Sequence, residues 1–240
     1  MLKGIIFDKD GTLIDFDSFW VTVSVKAINK ILKDLKREDI PLEEIFSSIG
    51  IENGTTDMDG LLCKGTYEQM ALVINAVLKK HGCYVSDEEI VKIVINAYNL
   101  YADSGEVKPT CANLKEVLGK LIDRGIKLAI VTTDNAEITQ ICLKKLGIEN
   151  MFCKVYSDDG KTPPKPDPYC AYAFSELIGA EKDEIIMVGD TMTDVKFARN
   201  AGISVFAVGA TEEKRERLRS YADFVASDIS HIFEYIGEEE

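Results

Sequence analysis

Hydrophobic positions along this chain follow different periods in different stretches, and the change of period divides it. Lys3-Gly4-Ile5-Ile6-Phe7-Asp8 is a short apolar run ending in an acid, which predicts a buried strand with a polar carboxyl end. From about Phe16 to Tyr101 the spacing is helical. Three segments beginning at Val21, Thr66 and Ser86 each place apolar residues three and four apart. Ser86 followed by Glu89 reads as a capping box before the third segment, and Gly82 after Lys79 and Lys80 as a helix stop. No strand is expected in this stretch, so it reads as an all-helical insertion.

After Pro109 helical and strand patterns alternate. Helices are predicted at Cys111–Gly125, Ala136–Ile148 with Gly147 at its end, Pro168–Gly179 and Thr193–Gly202. Strands are predicted at Ile126–Thr133, Met151–Ser157, Glu184–Asp190 and Ile203–Gly209. Asp167 is a candidate N-cap with Pro168 at the first helical position. Short strands alternating with helices imply a parallel sheet covered on both faces. The expected fold is α/β: a Rossmann-like three-layer α/β/α core of residues 1–15 and 106–240, with an all-α cap of residues 16–105 inserted after the first strand. Glu238-Glu239-Glu240 is expected to be a solvated tail.

Composition narrows the function classes. The chain has 240 residues, with 28 Lys+Arg against 41 Asp+Glu and a formal net charge of -13. That excess argues against nucleic-acid and anionic-membrane surfaces, which need a basic footprint. No apolar run reaches the roughly 18 residues needed to cross a bilayer, and the N-terminus lacks the features of a signal peptide. Six scattered cysteines form no CxxC, and only His81 and His231 are available beside them, so a zinc site is not expected. Reduced thiols in a cytoplasmic protein are the expected reading.

The candidate chemistry lies where strands end. In an open parallel sheet, ligands bind beyond the carboxyl ends of the strands. The first predicted strand ends at Asp8, with Asp10 two residues on. The second ends at Thr132 and Thr133, and a later one at Asp190, with Asp194 one helical turn beyond. Asp8 and Asp10 also echo a calcium loop, but Leu13 stands where that loop needs Gly and Phe19 where it needs Glu. Asp57-Met58-Asp59-Gly60 repeats the spelling with no strand before it and reads as a polar loop. Converging carboxylates repel unless a cation neutralises them. Oxygen donors without nearby His or Cys favour a hard cation such as Mg2+, which commonly adds a substrate phosphate oxygen to its shell. Lys165 lies in Thr162-Pro163-Pro164-Lys165-Pro166-Asp167-Pro168, where four of the six prolines restrict the backbone and can fix its direction.

Together these residues resemble the haloacid dehalogenase superfamily. Asp8-Lys9-Asp10-Gly11-Thr12-Leu13 resembles its first signature, the strand ending at Thr132 its second, Lys165-Pro166 its third, and Gly189-Asp190-Thr191-Met192-Thr193-Asp194 its fourth. The insertion has the position of the family's type 1 cap. Val107-Lys108-Pro109-Thr110 and Ala201-Gly202 further resemble phosphoglycolate-phosphatase-like members. The resemblance implies that Asp8 is a nucleophile forming an aspartyl-phosphate, and Asp10 a general acid and then base. It implies that Thr132, the Thr133 amide and Lys165 hold phosphate oxygens. Asp8, the backbone carbonyl of Asp10, and Asp190 would bind Mg2+, and Asp194 would bind it directly or through water. The implied enzyme is a magnesium-dependent phosphatase acting on a small phosphorylated metabolite, phosphoglycolate-like or a sugar phosphate, as a monomer or homodimer in the cytoplasm.

Three departures stand out. Thr133 replaces the Asn common after the second-signature Thr, which leaves Thr132 or Thr133 as the phosphate contact, with strand register favouring Thr132. Lys9 is an unusual residue between the two aspartates. Val208-Gly209-Ala210 lacks the Trp-Gly of close phosphoglycolate phosphatases. Asp10 argues against a haloacid dehalogenase, which protonates no alkoxide. A phosphomutase would use Asp8 and Asp10 equally well. A phosphonate hydrolase would need a cap lysine, for which Lys64 is the candidate, and a non-catalytic binding protein on this fold is the remaining class. Cap residues 49–65 are expected to close over the site, with Asn53, Lys64 and Tyr67 as candidates to touch substrate.

Overall fold

The computed structural model describes residues 1–57 and 59–237. The expected solvated tail lies outside the described residues. By its internal contacts the chain divides into two compact units, Met1–Asp15 with Val107–Glu240 and Phe16–Glu106.

The first unit opens with β1 (Gly4–Phe7), a strand buried at every position. The second unit follows, with α1 (Phe16–Asp34), α2 (Leu42–Ile49), β2 (Ile51–Glu52), β3 (Thr55–Thr56), α3 (Leu61–Lys64), α4 (Tyr67–Lys80) and α5 (Asp87–Tyr101). It is helical except for one hairpin, which the sequence reading left out. Asn53 and Gly54 both take positive φ, 52° and 79°, and join β2 to β3. An Asn-Gly pair favours this turn because both central residues must be left-handed. Thr66 and Gln69 make the capping box of α4, while Ser86 accepts from the Glu89 amide at the start of α5. His81 ends α4, and Gly82 follows at φ 77°. Apolar stripes of α1, α4 and α5 meet through Val23, Ile28, Ile74, Leu78, Ile90 and Val94, all at most 5% exposed. One buried polar pair lies within this packing, with Tyr98 Oη donating to Ser24 Oγ at 3.0 Å.

The first unit resumes with α6 (Leu114–Asp123), β4 (Lys127–Asn135), α7 (Ala136–Leu146), β5 (Lys154–Asp158), α8 (Tyr169–Ile178) and β6 (Ile185–Gly189). It ends with α9 (Met192–Ala201), β7 (Ser204–Val208), α10 (Glu212–Arg219), β8 (Phe224–Ala226) and α11 (Ile232–Tyr235). The strands form one parallel sheet in the order β5-β4-β1-β6-β7-β8. The β8 edge was not foreseen, because three residues carry too little period to show. Asp167 stands one residue further out than expected. Pro168 is the cap position of α8, and Asp167 Oδ1 accepts from the Tyr169 amide at 2.9 Å.

Strand alternation sends successive side chains to opposite faces. Ile6, Val131, Met187, Val205 and Ala207 pack with Phe174 of α8 and with Val195, Phe197 and Ala198 of α9 on one face. On the other, Phe7 meets Phe152 edge-on and Phe206 meets Tyr235. The three-layer α/β/α arrangement follows from right-handed crossovers that carry helices to each face as the chain reverses direction across the sheet. The reversal falls between β1 and β6: β1 leads out toward β4 and β5, and β6 toward β7 and β8. In such sheets a crevice opens at this point, outside the carboxyl ends of the strands. Ile6→Ala, in the central strand at 0% exposure, is expected to lower unfolding free energy by about 2–5 kcal/mol in urea denaturation; a change no larger than that of a surface substitution would remove β1 from the core.

Candidate active site

Register places the predicted carboxylates. Phe7 of β1 pairs with Val188 of β6, and the Asp8 amide donates to the Val188 carbonyl at 2.8 Å. Asp8 and Asp190 therefore leave adjacent strands at the switch point. Asp194 comes from the first turn of α9, in a reciprocal cap with Thr191. Its Oδ2 accepts from the Thr191 amide at 3.0 Å and from Thr191 Oγ1 at 2.7 Å, which leaves Oδ1 to face the crevice. Asp8, Asp190 and Asp194 each offer an oxygen within 4.8 Å of the others, and all three are buried. The role of Thr191 in aiming Asp194 was not read from the sequence, although Thr191 and Asp194 have the spacing of a capping pair.

Lys165 enters this cluster. Its Nζ donates to Asp8 Oδ1 at 2.5 Å and to Asp194 Oδ1 at 2.6 Å. The loop that carries it is held at its back by Asn200 of α9, whose Nδ2 donates to the Pro166 carbonyl at 2.9 Å. Thr132 is buried at the end of β4 and borders the same recess as Lys165, whereas the Thr133 side chain is exposed. The Thr132 hydroxyl accepts from the Asp134 amide at 3.2 Å. Of the two threonines, Thr132 is the one directed inward, as strand register anticipated.

Asp10 stands apart. Its carboxylate belongs to a second ionic group, formed with Lys9 and Asp134. Lys9, which had no role in the sequence reading, is 0% exposed and lies between these two acids. The cap candidates have local roles inside the helical unit: Lys64 pairs with Asp59, the Tyr67 ring lies 5.4 Å from that of Tyr98, and Asn53 makes the hairpin turn. Asp57 and Asp59 form a turn, with the Asp59 amide on Asp57 Oδ1, as expected of a polar loop; Met58 lies outside the described residues.

Electrostatics mark the cluster as short of positive charge. Burial, with repulsion from Asp194 added, pushes the Asp8 carboxyl up to about 6 although Lys165 opposes it. Burial, then Asp8 and Asp194, hold Asp190 well above the usual carboxylate range. Burial pushes Asp10 up to about 7 against the pull of Lys9. Burial alone would lower the Lys165 ammonium, but Asp194 and Asp8 hold it above its ordinary range. Asp190 Oδ1 is buried and finds no hydrogen-bond partner among the described residues. A buried carboxylate oxygen left this way is costly unless a cation meets it. Gly11, at φ 79°, makes room for it, since a Cβ there would fall 2.0 Å from Asp190 Oδ2. Oxygen donors alone, with no His or Cys, suit a hard divalent cation. The three carboxylates fit such an ion, with the Asp10 backbone carbonyl at the same strand end.

A model of the haloacid dehalogenase-like hydrolase family matches residues 2–202. The chain belongs to that family. It is a hydrolase of the phosphatase type. Among curated relatives, it is 28% identical to pyrophosphatase PpaX of Bacillus velezensis, over 98% of this chain and 97% of the relative. It is 26% identical to phosphoglycolate phosphatase of Vibrio parahaemolyticus, over 98% and 96%. In fold it is similar to a crystal structure from Haemophilus somnus described as a predicted phosphoglycolate phosphatase, with TM-score 0.71, 22% identity and 98% coverage of both chains. Among the described residues, no helix is long and apolar enough to cross a membrane.

The raised carboxyls give a linked prediction. A group whose folded pKa lies above its unfolded value stabilises fully below the unfolded value and loses that effect as pH rises through the folded one. As pH rises from the ordinary carboxylate range through about 6 at Asp8 and about 7 at neighbouring Asp10, the metal-free site should therefore lose stability. A divalent cation should raise the melting temperature, and by more at pH 8 than at pH 5. Asp190→Asn should abolish most of that gain. An equal rise in wild type and variant, read by differential scanning fluorimetry, would reject the cluster as the metal site.

Proposed function

We propose that this protein is a magnesium-dependent phosphatase that hydrolyses a small phosphomonoester through a phosphorylated Asp8. The observation that carries this reading is the Asp8 carboxylate at the topological switch point, tied through one oxygen to the Lys165 ammonium and flanked by Asp190 and Asp194. Lysine binding of one oxygen aims the other, and a carboxylate so placed can act as a nucleophile. The relatives named for phosphatase and pyrophosphatase activity support the class of reaction.

In the first half-reaction the free Asp8 oxygen forms a bond to phosphorus as the bond from phosphorus to the ester oxygen breaks. Asp10 passes a proton to the departing alkoxide. Burial supports this role, because a carboxyl pushed up to about 7 still carries a proton near neutral pH. In the second half, Asp10 as carboxylate takes a proton from water while the water oxygen bonds to phosphorus, and Asp8 is released. Lys165 and the Thr132 hydroxyl hold nonbridging phosphate oxygens through both halves. Asp8, Asp190, the backbone carbonyl of Asp10 and, directly or through water, Asp194 would hold Mg2+, which when bound supplies charge neutralisation for the phosphoryl group.

The substrate class is a compact ester of the phosphoglycolate or sugar-phosphate kind, and the relative named pyrophosphatase adds the anhydride pyrophosphate as a compound to test. Six free thiols support a reducing, cytoplasmic setting.

Asp8→Asn is expected to reduce phosphate release from a metabolite panel below detection while the far-ultraviolet circular dichroism spectrum stays that of wild type. Turnover near wild type would sink the nucleophile assignment. Chelation should stop wild-type turnover and added Mg2+ restore it; activity indifferent to chelator would reject the metal dependence.

A further inference from the structure

We propose that Lys9 is a positioning residue that holds the proposed acid Asp10, and that Asp134 in turn holds Lys9. This deepens the phosphatase reading and rests on it. The Lys9 Nζ lies 2.7 Å from Asp10 Oδ1 and 2.7 Å from Asp10 Oδ2, so it meets both oxygens of that carboxylate. It also lies 2.7 Å from Asp134 Oδ2. The Lys9 side chain is 0% exposed, whereas those of Asp10 and Asp134 are 15% and 17% exposed. The ammonium is thus the enclosed member of the group, with the two acids on its more exposed side.

The geometry separates two tasks that would otherwise interfere. Lys165 binds Asp8 and Asp194, and Lys9 binds Asp10 and Asp134. Asp8 and Asp10 are two residues apart at one strand end, and each has a lysine of its own. With its own buried lysine on both of its oxygens, Asp10 is turned to one place, away from the Asp8–Lys165 pair. Asp134 lies beyond Thr132 at the end of β4, beside β1 in the sheet. Its amide also donates to the Thr132 hydroxyl, so one short segment fixes Lys9 and a proposed phosphate-binding side chain together. Burying an ammonium is costly even when paired, and an apolar residue could fill the same volume. What the lysine provides here is orientation of the carboxylate next to it.

Orientation of an acid matters in proportion to how much the leaving group needs a proton. An alkoxide needs one and nitrophenolate does not, so the two esters separate positioning of Asp10 from general damage to the site. The measurement is first-turnover release of alcohol from an alkyl phosphate and from p-nitrophenyl phosphate, by wild type, Lys9→Met and Asp134→Asn. For Lys9→Met we expect alkyl release to fall about 100-fold while nitrophenol release stays within about threefold. KM for both esters should change little. Asp134→Asn should show the same selectivity with a loss of about tenfold for the alkyl ester. Equal slowing of both esters, or no slowing of either, would overturn the positioning role. Should Lys9→Met fail to fold, Asp134→Asn carries the same comparison, and equal slowing there overturns it. A wild-type protein that releases neither alcohol would sink the phosphatase reading and this proposal with it; one that releases both sets the reading apart from the role of Lys9.

Discussion

The site depends on a buried ammonium set between two carboxylates, and this arrangement occurs twice. Lys165 spans Asp8 and Asp194; Lys9 spans Asp10 and Asp134. Breaking a buried ion pair by removing one partner costs about 3–5 kcal/mol, because the other charge stays behind without compensation. Neither lysine could stay buried without its acids, and the acids could not crowd one sheet edge without the lysines. The rest of the first unit serves this balance. Register brings β1, β4 and β6 to a common edge, the cap of α9 turns Asp194 inward, and Asn200 holds the proline-rich loop that delivers Lys165.

Much of this was legible in the sequence because it is locally encoded. A run such as Ile185–Gly189 is apolar at all five positions, as a strand covered on both faces must be. Its polar residue then falls at the carboxyl end, where a ligand can meet it. That argument pointed to Asp8, Asp10, Thr132, Thr133 and Asp190 as candidates, and to Asp194 one helical turn further on. The hairpin at Asn53-Gly54 carried a readable turn signal, but its flanking strands have two residues each and lie among helices. The edge strand β8 exists through its pairing with β7, and a three-residue segment shows no period of its own.

What could not be read is which distant residues meet. The link between Lys9 and Asp134 spans two strands whose adjacency is a property of sheet order. Lys9 stood out between the two aspartates, whereas Asp134, next to Thr133, drew no reading of its own. The fold gives Lys9 its partners, Asp10 beside it in the chain and Asp134 from the neighbouring strand.

The same pairing resolves the conflict between an acidic protein and a proposed anionic substrate. The net charge of -13 describes the far field, which governs long-range steering and is screened by salt within about 10 Å. A small ester that reaches the crevice meets local charges instead. Asp8, Asp10, Asp134, Asp190 and Asp194 face Lys9 and Lys165 there, an excess of three negative charges when every acid is ionised. A proton on Asp10 removes one, and a divalent cation at the cluster removes two, which leaves the site neutral before substrate arrives. The raised carboxyls of Asp8, Asp10 and Asp190 are the metal-free side of that balance. A cation would compensate the burial and mutual repulsion that raise them and turn a site that repels phosphate into one that accepts it, without any change in the charge of the rest of the chain.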